Sequence, residues 1–284
     1  MSARPMASEM LEHIREAAHS VQSCTAVKPR VGIILGTGLG DLADALEGRS
    51  VVPYASIPHF PQSTVESHAG ELHVGMLAGV PVALMKGRVH FYEGYSMQQV
   101  TFPVRVLKAL GCDILIITNA CGGMNPDMPA GTIVVTTDHI NLMGDNPLIG
   151  ANDDELGPRF PDMSEPYARA LVALAESVAL EQKIALQRGV FVAVSGPNLE
   201  TAAEYRYLRT MGADCVGMSL VPENIVAVHG GQRVLAFNVV TDACLPDALH
   251  PVDIAQVLAV AGRTAPVLTR LLTEVVRRID EVRA

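Results

Sequence analysis

Arg88 and His90 stand two residues apart in Lys86-Gly87-Arg88-Val89-His90-Phe91-Tyr92, directly after the apolar run VPVALM. On an extended segment such alternating side chains project to one side, with Tyr92 continuing the row. A guanidinium fork and an imidazole aimed at one point make a phosphate site, because the fork engages two oxygens at once. Gly36-Thr37-Gly38-Leu39-Gly40 follows another apolar run, VGIIL, and precedes a helix-like stretch starting near Asp41. Such a turn can aim backbone N–H groups and a hydroxyl at an anion. It is neither a dinucleotide fingerprint, which needs glycine where Asp41 stands, nor a P-loop, since no Gly-Lys-Ser/Thr follows. A tight turn without a ligand is the other reading.

Four more segments carry small or polar residues at the ends of apolar runs: Thr118-Asn119-Ala120-Cys121-Gly122-Gly123-Met124, Ser195-Gly196-Pro197-Asn198-Leu199-Glu200-Thr201, Gly217-Met218-Ser219-Leu220-Val221-Pro222-Glu223, and Thr241-Asp242 with His250 eight residues on. Open parallel sheets gather ligands at strand ends, where small residues let backbone N–H groups come close. Each segment alone is also what a bare turn or a helix cap looks like. Glu200, read in the first turn of a helix, would then only complement its dipole.

These segments need a scaffold. Short runs rich in Val and Ile predict buried strands at 31–35, 71–77, 80–85, 113–119, 131–136, 189–194, 213–218 and 234–241. Segments with apolar residues at helical spacing alternate with them. The fold class is α/β: a three-layer α/β/α sandwich around a largely parallel mixed sheet, in one domain over residues 1–284. Residues 141–163, with their Gly, Pro and Asp, read as a long loop serving a site or an interface.

Composition narrows the class. Of the 284 residues 49% are hydrophobic and 18% charged, the balance of a chain with a sizeable core. A net charge of −9 without a basic run argues against nucleic acid or an anionic membrane as partner. The five cysteines are scattered and show no metal or redox spacing, so they read as reduced, small core residues of a cytoplasmic protein. The first twenty residues read as an amphipathic helix rather than a signal peptide, and no apolar run is long enough to span a bilayer.

Taken together, GTGLG, FPQSTVESHAG, GRVHFYEGY, TNACGGMN, DHINLMGDNPL, GPNLET and GMSLVPE resemble the trimeric purine nucleoside phosphorylases, a family that includes methylthioadenosine phosphorylase. The match runs from about residue 31 to residue 250. The resemblance implies cleavage of the N-glycosidic bond of a purine nucleoside by phosphate, without metal or organic cofactor, in a homotrimer able to pair into a hexamer. It implies that Thr37, His68, Arg88, His90, the Ala120 N–H and Ser219 hold phosphate, and that Tyr92, Met218 and His250 contact the ribose, His250 at its 5′-hydroxyl. Phe160 resembles the aromatic side chain lent to a neighbouring subunit's sugar site. Leu199 and Glu200 would meet the purine, Glu200 accepting from the N1–H of a 6-oxopurine. His90, Glu200 and Asp242 are the expected catalytic residues.

Two positions depart from the family pattern. Asp242 stands where the 6-oxopurine enzymes carry asparagine, which can donate to O6 and N7; an ionised aspartate only accepts, and so favours a 6-amino group. The adenosine and methylthioadenosine enzymes are similar to this chain there, whereas Glu200 and His250 fit the 6-oxo class with a free 5′-hydroxyl. The expectation is a phosphorylase of broadened 6-oxo and 6-amino selection, if Asp242 can change protonation, with an adenosine- or methylthioadenosine-preferring enzyme as the alternative. Leu199 replaces a stacking phenylalanine, which loosens the pocket. A nucleosidase using water, or a non-catalytic nucleoside-binding protein, would not need the phosphate set.

Overall fold

The computed structural model describes residues 7–64 and 69–282. Its regular elements are α1 (Ala7–Ser23), β1 (Val31–Leu35), β2 (Glu47–Pro53), β3 (Glu71–Leu77), β4 (Val80–Lys86), α2 (Met97–Ala109), β5 (Ile114–Gly123), β6 (Ile133–Leu142), α3 (Arg169–Glu181), β7 (Leu186–Val194), α4 (Ala202–Thr210), β8 (Cys215–Gly217), α5 (Val221–His229), β9 (Arg233–Ala243) and α6 (Ile254–Arg277). The apolar runs behave as their composition dictates. All five residues of β1 are buried, as are the first six of β5 and eight consecutive residues of β9. Strands this apolar have no solvent-facing side and must be covered on both.

The strands form one sheet in the order β2-β3-β4-β1-β5-β8-β7-β6-β9, and β5 also pairs with β9. That extra pairing closes β5, β8, β7, β6 and β9 into a ring, from which β1, β4, β3 and β2 extend as an open wing. The β1–β4, β1–β5, β5–β9, β6–β7 and β7–β8 pairs are parallel. The β2–β3, β3–β4, β5–β8 and β6–β9 pairs are antiparallel. The α/β class and mixed sheet agree with the sequence reading; the ring was not legible there, because it depends on strands far apart in the chain. Helix α2 packs on both α1 and α5, and α3 packs on α6.

Capping residues start the helices that frame the site. Ser96 accepts from the Gln99 N–H while the Gln99 side chain reaches back to the Ser96 N–H, and Thr201 and Glu204 repeat the arrangement at α4. Glu200 therefore lies before the cap, not in the first helical turn as its sequence position predicted. Near Asp41 the chain makes a 3₁₀ helix, Gly40–Ala45, rather than an α-helix. Strand β2 escaped sequence reading because only Val52 within it is buried. Strand β6 runs on to Leu142 through Asp138, His139, Ile140 and Asn141, so the irregular stretch before α3 begins after it. Four cysteines are buried and free, as expected of core residues, but Cys24 is exposed.

Candidate functional site

Where β1 and β5 run side by side their ends nearly touch. A Cβ on Gly36 would lie 2.8 Å from the Thr118 carbonyl oxygen and 2.9 Å from the Asn119 Cα, so only glycine allows the approach. The Gly36 N–H then donates to Thr118 Oγ1 at 3.0 Å. This contact sets the Thr37 turn against β5, whose small residues Ala120, Cys121 and Gly122 stay extended as strand rather than forming the turn that a bare reading of TNACGG allowed. Over this floor a cavity opens to solvent. At one end its wall carries Thr37, His90, Tyr92, Ala120 and Ser219; at the other it carries Leu199, Glu200, Met218 and Asp242. Sequence segments scattered over more than 200 residues thus share one cavity.

The first end rests on a buried charge. Arg88 is 2% exposed and sits behind Ser219 rather than facing the cavity. Its Nη1 donates to Ser219 Oγ at 3.0 Å, its Nη2 donates to the Thr118 carbonyl at 2.8 Å, and its Nε lies 3.2 Å from Glu223 Oε1. Ser219 Oγ donates in turn to Asn119 Oδ1 at 2.9 Å. Burial pushes the Glu223 carboxyl up, and Arg88 pulls it back. A buried guanidinium needs such a partner, since an unpaired ion in the core costs several kcal/mol.

His90 is buried beside this cluster. After Lys86 the chain leaves the strand, and His90 caps a 3₁₀ turn, Phe91–Glu93, so the extended row of Arg88, His90 and Tyr92 predicted from sequence breaks at the third member. Tyr92 still reaches the cavity, by stacking on the His90 ring at 4.8 Å and 11°. His90 Nδ1 lies 3.1 Å from Glu93 Oε1, and its backbone N–H donates to the same oxygen at 2.7 Å. Burial, and next the positive Arg88, lower the imidazole to about 4, with Glu93 opposing them. In the neutral ring a proton on Nδ1 goes to Glu93, which makes Nε2 the acceptor nitrogen. Burial acts to raise the Glu93 carboxyl, but hydrogen bonds from Thr64 and His90 outweigh it and hold the group below its ordinary range.

The second end carries two acids. Glu200 and Asp242 are both partly exposed and both line the cavity. Burial raises the Glu200 carboxyl, opposed by the Tyr205 hydroxyl and reinforced by the negative Glu204 and Asp242. Asp242 Oδ1 is 2.9 Å from Thr241 Oγ1, and its Oδ2 accepts from the Cys244 thiol at 3.1 Å. Leu199 is 46% exposed at the rim.

Not every expected residue converges. His250 is exposed and lies off the cavity wall, and Phe160 is 86% exposed on a separate hollow with His139 and Asn141. His68 lies outside the described residues. Sequence reasoning assigned no role to Glu93, Asn119, Tyr205, Glu223 or Cys244. The interval His90 to Glu93 is a capping-box spacing and could have flagged the first; Asn119 and Glu223 act through partners 100 or more residues away, and Tyr205 and Cys244 through neighbours that meet only inside the folded cavity. Among the described residues no cluster of His, Cys, Asp and Glu could hold a metal ion, and no helix is long and apolar enough to cross a membrane.

The cavity thus has a donor-lined end over a buried cation and an acid-lined end, and comparison with known proteins gives the chain's family. Residues 30–277 match the family described as the Phosphorylase superfamily. The chain is 49% identical to purine nucleoside phosphorylase 1 of Bacillus subtilis (strain 168), covering 95% of this chain and 100% of that protein. It is 46% identical to the purine nucleoside phosphorylase of Bos taurus, covering 83% of each. Among solved structures, the Schistosoma mansoni enzyme in complex with adenosine superposes with a TM-score of 0.91 at 39% identity, over 95% of this chain and 98% of that one. The chain belongs to the phosphorylase superfamily and, within it, to the purine nucleoside phosphorylase family.

Proposed function

We infer that this protein is a purine nucleoside phosphorylase, a pentosyltransferase that reversibly cleaves a purine (deoxy)ribonucleoside with inorganic phosphate, giving the free base and the sugar 1-phosphate. The observation that carries the reading is the shared cavity, with a buried cation behind one end and two carboxyl groups at the other. As the glycosidic bond stretches, positive charge grows on the sugar and negative charge on the departing base. Phosphate answers both needs, as nucleophile and as counter-charge, if it is held near the sugar carbon.

In this reading Thr37, the Ala120 N–H, Ser219, His90 and His68 are the residues assigned to phosphate. Arg88 adds its charge through Ser219, whose hydroxyl it orients. Neutral His90 accepts a hydrogen bond at Nε2 from the P–O–H of hydrogen phosphate and is kept in that tautomer by Glu93. Tyr92 and Met218 flank the sugar. Glu200 and Asp242 meet the purine, Glu200 through the N1 edge and Asp242 through position 6, with Leu199 beside the ring.

His250 and Phe160 fit as late contributors. His250 would reach the 5′-hydroxyl on closure of the segment before α6, and Phe160 would serve the sugar site of a neighbouring subunit in a homotrimer, or in a hexamer built from two. Its exposure on a hollow of its own supports that use. We further propose a single cytoplasmic domain with no cofactor beyond phosphate as co-substrate.

Asp242 supports acceptance of 6-amino as well as 6-oxo purines. Phosphate-dependent cleavage of inosine, guanosine, adenosine and methylthioadenosine, measured side by side, tests this. Cleavage of inosine together with adenosine is expected. Inosine cleavage without any adenosine cleavage would overturn the broadened selection, and inactivity on all four would overturn the function.

A further inference from the structure

Ser219 lines the cavity, yet its one proton is already in use. Arg88 Nη1 can only donate, and does so to Ser219 Oγ at 3.0 Å; the Ser219 hydroxyl donates to Asn119 Oδ1 at 2.9 Å. The contacts continue inward. Asn119 Nδ2 donates to Asn238 Oδ1 at 3.4 Å, and Asn238 Nδ2 donates to Thr136 Oγ1 at 2.7 Å. All four residues are at most 7% exposed, so water does not complete these bonds. Strand pairing fixes the line: Asn119 of β5 stands opposite Asn238 of β9, and β9 pairs in turn with β6, which carries Thr136. A Cβ on Gly217 would crowd Asn119 Nδ2 at 3.2 Å, so the glycine leaves the amide its room.

Proton counting shows what the line can do. It has three links and four groups, each with one proton to place along it. One proton is therefore left over, and the direction of the line decides at which end. Running inward, the surplus is the Thr136 hydroxyl proton, which finds no acceptor among the described residues. Turning both amides over exchanges Oδ1 for Nδ2 with almost no change of shape. The line then runs outward: Thr136 Oγ1 donates to Asn238 Oδ1, Asn238 Nδ2 to Asn119 Oδ1, and Asn119 Nδ2 to Ser219 Oγ. Every link is kept, the Thr136 proton is used, and Ser219 gains a proton free for the cavity. No covalent bond changes.

We propose that Asn119, Asn238 and Thr136 are positioning residues for phosphate: with the anion bound the line runs outward, and Ser219 donates its freed proton to a phosphate oxygen. An anion facing a hydroxyl whose proton points elsewhere meets only lone pairs, so phosphate itself favours the outward direction. The proposal rests on reading Ser219 as a phosphate ligand.

The test is a double-mutant cycle on phosphate KM at about pH 8, with Ser219→Ala, Asn238→Asp and both together. A carboxylate at position 238 only accepts; it draws Asn119 Nδ2 to itself, turns Asn119 Oδ1 to Ser219, and so locks the Ser219 proton away from phosphate. A hydrogen bond to a charged group is worth about tenfold or more. Each single change is therefore expected to raise phosphate KM about tenfold with nucleoside KM little altered, and the double change to raise it no further than Ser219→Ala alone. The new charge acting through space, or a loosened fold, would act equally in both backgrounds. Factors that multiply, or an unaltered phosphate KM in Asn238→Asp, would overturn the proposal. Should Asn238→Asp fail to fold, Asn119→Asp, which also only accepts, takes its place in the cycle with the same expectations. An unaltered phosphate KM in Ser219→Ala would instead remove Ser219 from the phosphate site, and the proposal with it, while cleavage that needs no phosphate would overturn the function itself.

Discussion

The two ends of the cavity are built differently. At the proposed phosphate end the polar groups are buried and tightly bonded: Asn119 stands in β5, Arg88 and Ser219 just beyond β4 and β8, and Glu223 in the first turn of α5, and all are at most 7% exposed. At the proposed base end Leu199 and Glu200 lie on irregular chain between β7 and α4, and Asp242 is the second-last residue of β9. An anion site must be organised before its ligand arrives, since reorienting dipoles during the reaction would cost the stabilisation they give. Base recognition needs only a few donors and acceptors, and loops can exchange those without disturbing the sheet. The contrast teaches that the reaction class resides in the sheet and the substrate choice in its loops.

The hardest blow to this division is Arg88→Ala. Phosphorolysis is expected to fall about a thousandfold while affinity for free nucleoside stays within a few-fold, as calorimetry would show. Removing the guanidinium also strands Glu223, and a buried charge without its partner costs about 3–5 kcal/mol. The double change Arg88→Ala, Glu223→Gln should recover much of the lost melting temperature and none of the activity. If activity returned, Arg88 would be a structural residue only.

Next in size is Asp242→Asn, which turns an acceptor into a donor at position 6. The inosine-to-adenosine ratio of kcat/KM should rise roughly tenfold to a hundredfold, with phosphate KM untouched. A change in phosphate KM of the same size would erase the distinction between the ends. Smaller again is Leu199→Phe. Stacking an aromatic ring on a base is worth about 1–3 kcal/mol, and the partial exposure of Leu199 places the gain at the low end. A several-fold lower KM for nucleoside is expected, and an unchanged KM would remove Leu199 from the base.

The smallest effect is a slope in pH. His90 titrates near 4 in the folded protein, below the ordinary histidine value. The unfolded chain therefore takes up the proton first as pH falls, and stability is lost between about pH 6.5 and 4 while it is fully present above that window. His229, lowered to about 4 by burial and Arg105, adds to the same slope. Urea midpoints at pH 7 and pH 4.5 should differ less in His90→Asn than in the unaltered protein; equal differences would mean that His90 is not buried neutral.

The same contrast governs what could be read from sequence. Strands β1, β3 and β4 were legible nearly to the residue, because buried runs of Val, Ile and Leu have few alternatives. Arg88 and His90 stood out as candidate chemistry because a guanidinium and an imidazole are costly to place near an apolar strand without purpose, whereas Ser219 entered only with the family resemblance. Glu223, Asn119, Tyr205 and Cys244 were not legible, since each matters through a partner 100 or more residues away or through a contact made inside the folded cavity. The ring closed by β5 and β9 escaped for the same reason: strand order is a property of pairing, and no local pattern encodes it.

The most direct test is to identify the products of inosine cleavage by ³¹P and ¹H NMR with phosphate present and absent. With phosphate, hypoxanthine and ribose 1-phosphate should appear in equal amounts, and without it the nucleoside should persist. Free ribose at the same rate in both samples would make the protein a hydrolase and contradict the use of Thr37, Arg88, His90 and Ser219 as a phosphate site.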